Sequence, residues 1–289
     1  MMKIADIPQV RAYAPEKITE ALRTRKPARP LMPGEKHMIV ACDHPARGAL
    51  GAGSLPYAMA DRQEVLARCV AALKRPGVTG FLGTADMVED LALLGVLDGM
   101  HVFGSMNRTG LQGARFEIDD RADCYSPAGI VKAGLEGGKT LTRICYEDPA
   151  TPAALYSTAQ AVNALSAEKK ITMIEPFVSY WEDGVIKNNL SPEAVIKSIT
   201  VASGLGENTA YTWLKLPCVD DMERVMAATT LPSLILGGEV SQDAEAVFAH
   251  WSRVMRLPNI FGLVVGRSLL FPSDGDVEKA VDTAVELVR

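Results

Sequence analysis

The stretch AYTWLKLPC, residues 210–218, reads as a buried β-strand: aromatic and apolar residues closed by Pro217. Lys215 interrupts it. Lysine is among the residues least often fully buried, and an unpaired ammonium in an apolar site is costly. Alternation along a strand puts Tyr211, Trp213 and Lys215 on one face. If that face is the inside of a closed sheet, the amine stands at the C-terminal end of its strand, above two aromatic rings.

The same unit repeats outward from this strand. Downstream come a helix over 220–230, a strand over 232–238, a helix over 241–257, a strand over 260–268 and a last helix over 276–289. Upstream, strands are predicted at 37–43, 78–83, 100–106, 139–148 and 171–177. Helical windows lie between them at 61–75, 87–95, 127–134, 154–170 and 191–206. The strands are short and rich in Val, Ile and Leu, as parallel strands covered on both faces are. Eight such units predict an α/β fold, a (β/α)8 TIM barrel forming one domain over 37–289. Residues 1–36 read as a short N-terminal extension with one helix near Glu16–Arg25. The competing architecture is an open doubly wound sheet, but no GxGxxG follows the first strand.

Bulk properties narrow the function. The chain has 289 residues, 48% hydrophobic and 22% charged, with a net charge of -5. That is an ordinary globular composition, and the absence of a basic stripe speaks against a nucleic-acid partner. The five cysteines form no CxxC pair, which suits a reducing compartment. Neither a signal-peptide h-region nor a membrane-length apolar run is visible, so the expectation is a cytoplasmic protein without a membrane partner. The four histidines, His37, His44, His101 and His250, lack ligand spacing, so neither a metal nor another cofactor is expected. His101 and His250 read as ordinary polar or helix residues. No GxSxG marks a serine nucleophile.

Barrel chemistry sits at the C-terminal ends of the strands. The polar residues there are Asp43-His44, Lys139 and Arg143, Glu175, Lys215, Gly237-Gly238 and Gly266-Arg267. A desolvated lysine amine near a second cation becomes a carbonyl nucleophile able to form a Schiff base; the plainer reading of Lys215 is a buried stem with a solvated head. Glu175 reads as a proton shuttle or as a structural ion pair. Asp43 reads as an acid/base or hydroxyl ligand, or as a turn residue before Pro45. Lys139 and Arg143 share a strand face and either could supply the second cation; strand position alone favours Arg143 at the mouth. Gly237-Gly238, Ser241 at a helix start, Gly266 and Arg267 match the phosphate site of such barrels.

With these residues in view, the chain resembles the class I, Schiff-base aldolases of the deoxyribose-phosphate aldolase/tagatose-bisphosphate aldolase superfamily. The segments carrying the resemblance are ACDHPARGAL (41–50), GLEGGKTL (134–141), MIEPF (173–177), WLKLP (213–217), LGGEVS (236–241) and VVGRSLL (264–270). The likeness runs over about residues 37–285, and is closer still to actinobacterial aldolases associated with inositol catabolism. It implies Lys215 as imine-forming nucleophile, Glu175 as proton shuttle, and Lys139 and Asp43 as active-site partners, preferring Lys139 to Arg143. It also implies a phosphorylated sugar substrate and a homo-oligomer. Two departures concern the substrate: the fourth strand reads LTRICYED, and His44-Pro45 replaces a glutamine-arginine pair. His44 therefore joins Arg143 among the expected substrate-binding residues. The expected activity is cleavage or formation of a carbon–carbon bond in a phosphorylated keto sugar. The alternatives are an isomerase, dehydratase or acyl transferase on the same barrel, or a non-catalytic phosphosugar-binding barrel.

Overall fold

The computed structural model describes residues 2–237 and 244–289. Among these, nine strands form: β1 (His37–Cys42), β2 (Gly80–Gly83), β3 (His101–Ser105), β4 (Gly137–Ile144), β5 (Ile171–Glu182), β6 (Val185–Asn188), β7 (Thr212–Leu216), β8 (Ser233–Leu236) and β9 (Ile260–Val265). All but β6 run parallel in the order β1-β2-β3-β4-β5-β7-β8-β9, and β9 pairs back onto β1. Closure abolishes the sheet edges and makes a (β/α)8 barrel. The strand that carries Lys215 is β7.

Period-two alternation explains why these strands look uniformly apolar in sequence. Val40, Phe81, Val102, Ile174 and Leu214 are fully buried and join the cluster formed with the surrounding helices. Ile39, Leu82, Phe103, Met173, Leu234 and Val264 make a separate cluster. These are the intervening positions, so they fill the barrel. Trp213 joins this inner cluster, as alternation from Lys215 predicts. The ring beside Trp213 there is Phe261 of β9, 5.7 Å away, and not Tyr211, which precedes β7. Side-chain caps fix the starts of several helices: Asp61, Ser126, Ser191 and Asp276 each accept a hydrogen bond from a first-turn N–H. Such a cap is worth about 1 kcal/mol.

Four local features differ from the sequence expectation. The helix over 220–230 shortens to Met222–Met226, because the Asn259 amide donates to the carbonyls of Met226 and Thr229 and holds the chain in a turn. The fourth strand ends at Ile144, where the Thr151 hydroxyl donates to Cys145 O and accepts from Cys145 N. The fifth strand does not stop at Phe177 but runs to Glu182 and folds back as antiparallel β6. Asp183 and Gly184 make that turn with φ of 50° and 74°, the doubly positive pair of a type I′ hairpin. Trp181 Nε1 ties the hairpin to Asp148 Oδ2 at 2.8 Å.

Finally, the first residues form two helices, Ile7–Tyr13 and Glu16–Thr24, where one was expected. The buried Arg25 donates to the carbonyls of Met100 at 2.9 Å and Gly134 at 2.7 Å, and pairs with Glu136 at 3.0 Å. Glu136 in turn accepts from the N–H groups of Val102 and Ala28. Among the described residues, no helix is long and apolar enough to cross a membrane.

Candidate active site

At the C-terminal mouth of the barrel lies a cavity of about 690 Å3. Asp43, Lys139, Glu175 and Lys215 all line it, each buried to within a few per cent. They form one chain of alternating charge. Lys215 Nζ is 3.0 Å from Glu175 Oε1. The other oxygen of Glu175 pairs with the Lys139 amine, and Lys139 Nζ lies 3.3 Å from Asp43 Oδ2. That oxygen also accepts from Ser105 Oγ at 3.1 Å and from the Arg108 guanidinium. The register accounts for the meeting: Ser105 of β3 pairs with Lys139 of β4, and Leu141 two residues on pairs with Glu175 of β5.

The pairing decides the charge states. Burial alone would raise the Asp43 carboxyl, yet Arg108 and then Lys139 hold it well below the usual carboxylate range. Burial likewise works against ionised Glu175, and Lys139 and Lys215 overcome it, giving a pKa of about 2. For Lys139, burial wins over the attraction of Asp43 and Glu175 and brings the amine to about 8. His44 is pushed down to about 3, first by burial and then by Arg267 and Lys215 against the pull of Asp43. Its ring is thus neutral at neutral pH, with Nδ1 3.8 Å from Asp43 Oδ1.

Arg143 also faces the cavity, but its guanidinium pairs with Glu117 at 2.9 Å. The cation that meets Glu175 and Asp43 is Lys139, in contrast to the reading from strand position alone. Glu117 belongs to the segment after β3, where Arg47 also anchors, 2.6 Å from Asp120 and 2.7 Å from the Asn107 carbonyl. Ser105, Arg108, Arg47 and Glu117 escaped the sequence reading. Alternation from Phe103 could have flagged Ser105; the others lie in or bind a polar loop that reads as solvated.

On the opposite side of the mouth, Gly237, Gly266 and Arg267 line the cavity. A Cβ on Gly266 would fall 2.6 Å from Ala41 O and 2.9 Å from the His44 ring, so only glycine lets the end of β9 approach β1 this closely. Arg267 makes a long contact to Gly51 O at 3.5 Å, and its buried Nε has no hydrogen-bond partner among the described residues. Gly238 and Ser241, the remaining expected phosphate contacts, lie outside the described residues. His250 lines the same cavity.

Comparison with solved structures places this geometry among known barrels. The chain is 49% identical to Cgl0159 from Corynebacterium glutamicum over 98% of this chain and 96% of that one, with a TM-score of 0.96. It is also similar to a Schiff-base-forming fructose-1,6-bisphosphate aldolase, 19% identical over 94% of this chain and all of that one, with a TM-score of 0.66. A third match is an archaeal fructose-1,6-bisphosphate aldolase whose catalytic lysine is covalently bound to a carbinolamine intermediate. It is 20% identical over 94% of this chain and 99% of that one, with a TM-score of 0.65. At these lower identities the likeness shows the barrel fold. A search of curated proteins finds no match. A family profile described as Cgl0159-like matches residues 35–285. The chain belongs to the Cgl0159-like family.

Proposed function

We propose that this protein is a lyase, a class I aldolase that cleaves or forms a carbon–carbon bond in a phosphorylated keto sugar through a Schiff base on Lys215. The observation that carries this reading is the buried chain Lys215–Glu175–Lys139–Asp43 at the barrel mouth. The aldolases that share the fold support it, one of them captured with a carbinolamine on its catalytic lysine.

Lys215 sheds a proton before it attacks the ketone carbon, and Glu175 Oε1 at 3.0 Å is the acceptor in reach. The carbonyl oxygen leaves as water and a protonated imine remains. Loss of the proton from the hydroxyl β to the imine lets the carbon–carbon bond break. Its electron pair passes to the imine, giving an enamine, and an aldehyde departs. The enamine carbon then takes a proton, and water releases the ketone and the amine. Lys139, held near 8 between two carboxylates, is able to return protons at neutral pH. Gly237, Gly266 and Arg267, with Gly238 and Ser241, hold the phosphate, and His44 and Arg143 bound the sugar. The segments resembling inositol-associated aldolases make inositol or related carbohydrate catabolism the pathway class, with a cytoplasmic homo-oligomer as the working form.

The test is chemical capture. The protein is mixed with dihydroxyacetone phosphate and reduced with borohydride, and the modified residue is mapped by mass spectrometry. A reduced adduct on Lys215 is expected, absent in Lys215→Met, which should also lose about four orders of magnitude in turnover. Failure to trap an adduct on Lys215 with this or any phosphorylated keto sugar overturns the reading.

A further inference from the structure

The two oxygens of Asp43 have different surroundings. Oδ2 accepts from Ser105 Oγ at 3.1 Å, from Lys139 Nζ at 3.3 Å and from Arg108 Nη2. Oδ1 is approached by His44 Nδ1 at 3.8 Å, too far for a hydrogen bond, and accepts none from the described residues. Asp43 lines the cavity, so one carboxylate oxygen is saturated by protein and the other is left for what enters.

Arg108 is held for this arrangement. Its side chain is buried, and the same Nη2 also donates to Ser105 Oγ. Its backbone N–H donates to Asp123 Oδ1 at 2.5 Å, and the neighbouring Thr109 hydroxyl donates to Asp123 Oδ2 at 2.6 Å. The amide of Asn107, on the other side, donates to the carbonyls of Asp120 and Leu141. The loop thus fixes the backbone from which the guanidinium reaches back to β1. Burying a guanidinium is expensive unless it is paired, and its partner here is a carboxylate of the proposed site.

We propose that Arg108 is a positioning residue: by binding Asp43 through Oδ2, it presents Oδ1 to the cavity as a fixed anionic acceptor for a substrate hydroxyl. The proposal rests on the aldolase reading for the identity of that hydroxyl, which belongs to the carbon chain whose carbonyl Lys215 captures. It gives Asp43 a constant charge and a constant orientation, so that Asp43 binds the sugar while proton transfer falls to other groups. Substrates with a hydroxyl in reach of Oδ1 are favoured over their deoxy counterparts, because a site built to bind a hydroxyl rejects an analogue that leaves a buried acceptor unpaired.

The experiment compares wild type, Arg108→Lys and Arg108→Met, each carrying aspartate labelled with carbon-13 at the side-chain carboxyl. The Asp43 signal is assigned by its absence in Asp43→Asn. Wild-type Asp43 should remain ionised until acid unfolding. In Arg108→Met it should titrate at a higher pH than in wild type, because the largest of the charges that lower it is gone, with Arg108→Lys between the two. An unchanged Asp43 titration in the substituted proteins overturns the proposal, and Arg108→Lys alone decides this if Arg108→Met does not fold. In turnover, Arg108→Met should lower kcat/KM about 100-fold, the order expected for a misplaced contact group. Borohydride capture of dihydroxyacetone phosphate on Lys215 should persist. Loss of capture along with turnover in a folded variant also overturns it, since Arg108 would then serve the whole site. Absence of capture in wild type ends the aldolase reading and leaves the carboxyl titration to decide the role of Arg108.

Discussion

The two ends of the barrel bury titratable groups to the same degree and treat them oppositely. At the floor, His37 and His101 stack edge to face 5.3 Å apart, beside Trp213 and Phe261. His101 is thus part of the barrel interior and not an ordinary polar surface residue. Burial pushes His37 down to about 4 and also lowers His101, so both rings are neutral at neutral pH. The buried Nδ1 of His37 has no hydrogen-bond partner among the described residues. At the mouth, Asp43 and Glu175 are ionised because each faces opposite charge. Burial sets the cost of a charge, but the neighbours decide whether the charge survives. The floor keeps its two rings neutral; the mouth keeps its two carboxylates ionised.

The strongest way to break this contrast is to remove the carboxylate between the two amines. Glu175→Ala leaves Lys139 and Lys215 buried without their shared anion. It should cost about 3–5 kcal/mol, read from the urea midpoint, with Glu175→Gln milder. Acid titration sharpens the contrast next, because His37 at the floor and Glu175 at the mouth lose stability in different pH windows. The His37 pKa lies below its unfolded value of 6.5, so the fold favours the neutral ring. The corresponding stability is complete above 6.5 and falls as the pH drops from 6.5 towards 4, by about 3 kcal/mol. The Glu175 pKa is also depressed, from 4.5 to about 2, but here the fold favours the charged form. That contribution is complete above 4.5 and is lost between 4.5 and 2. His37→Phe should therefore reduce the slope of the stability curve between pH 6.5 and 4, where the lowered His101 and His44 also contribute, and leave the slope below 4; a curve unchanged in the upper window would show that His37 does not titrate there. The smallest effect belongs to the wall of the mouth. Gly184→Ala places a side chain at a positive φ in the β5–β6 turn and should cost about 1 kcal/mol in thermal melts, with the pH profile unchanged.

The barrel was legible because short apolar runs and helical windows alternate along most of the chain. Lys215, Glu175 and Asp43 stood out because each follows or breaks an apolar run near a strand end, whereas Lys139, near a strand entry, was preferred to Arg143 only through the family resemblance. Depth along a strand was not legible: Lys139 and Arg143 share a face, and their partners follow from register across β3, β4 and β5. The hairpin did leave a signal, Asp183-Gly184 between short runs that contain Val178 and Ile186. It was missed because Pro176 suggested the end of a strand. Arg108 left no signal of its own. It sits in a polar stretch and owes its burial to contacts with Asp43 and Ser105, distant in sequence or on another element.

The attachment of Arg25 bears on how this chain can be cut. The first residues look like an appendage in the sequence, yet Glu136, at the start of β4, draws its cationic partner from them. A fragment beginning at the first barrel strand would lack the guanidinium and the Ala28 N–H that neutralise this carboxylate, and the carbonyls of Met100 and Gly134 would lose their donor. Any tag or fusion partner is better joined ahead of the two leading helices than between them and the barrel, since a hydrogen-bonded seam ties the leader to the barrel.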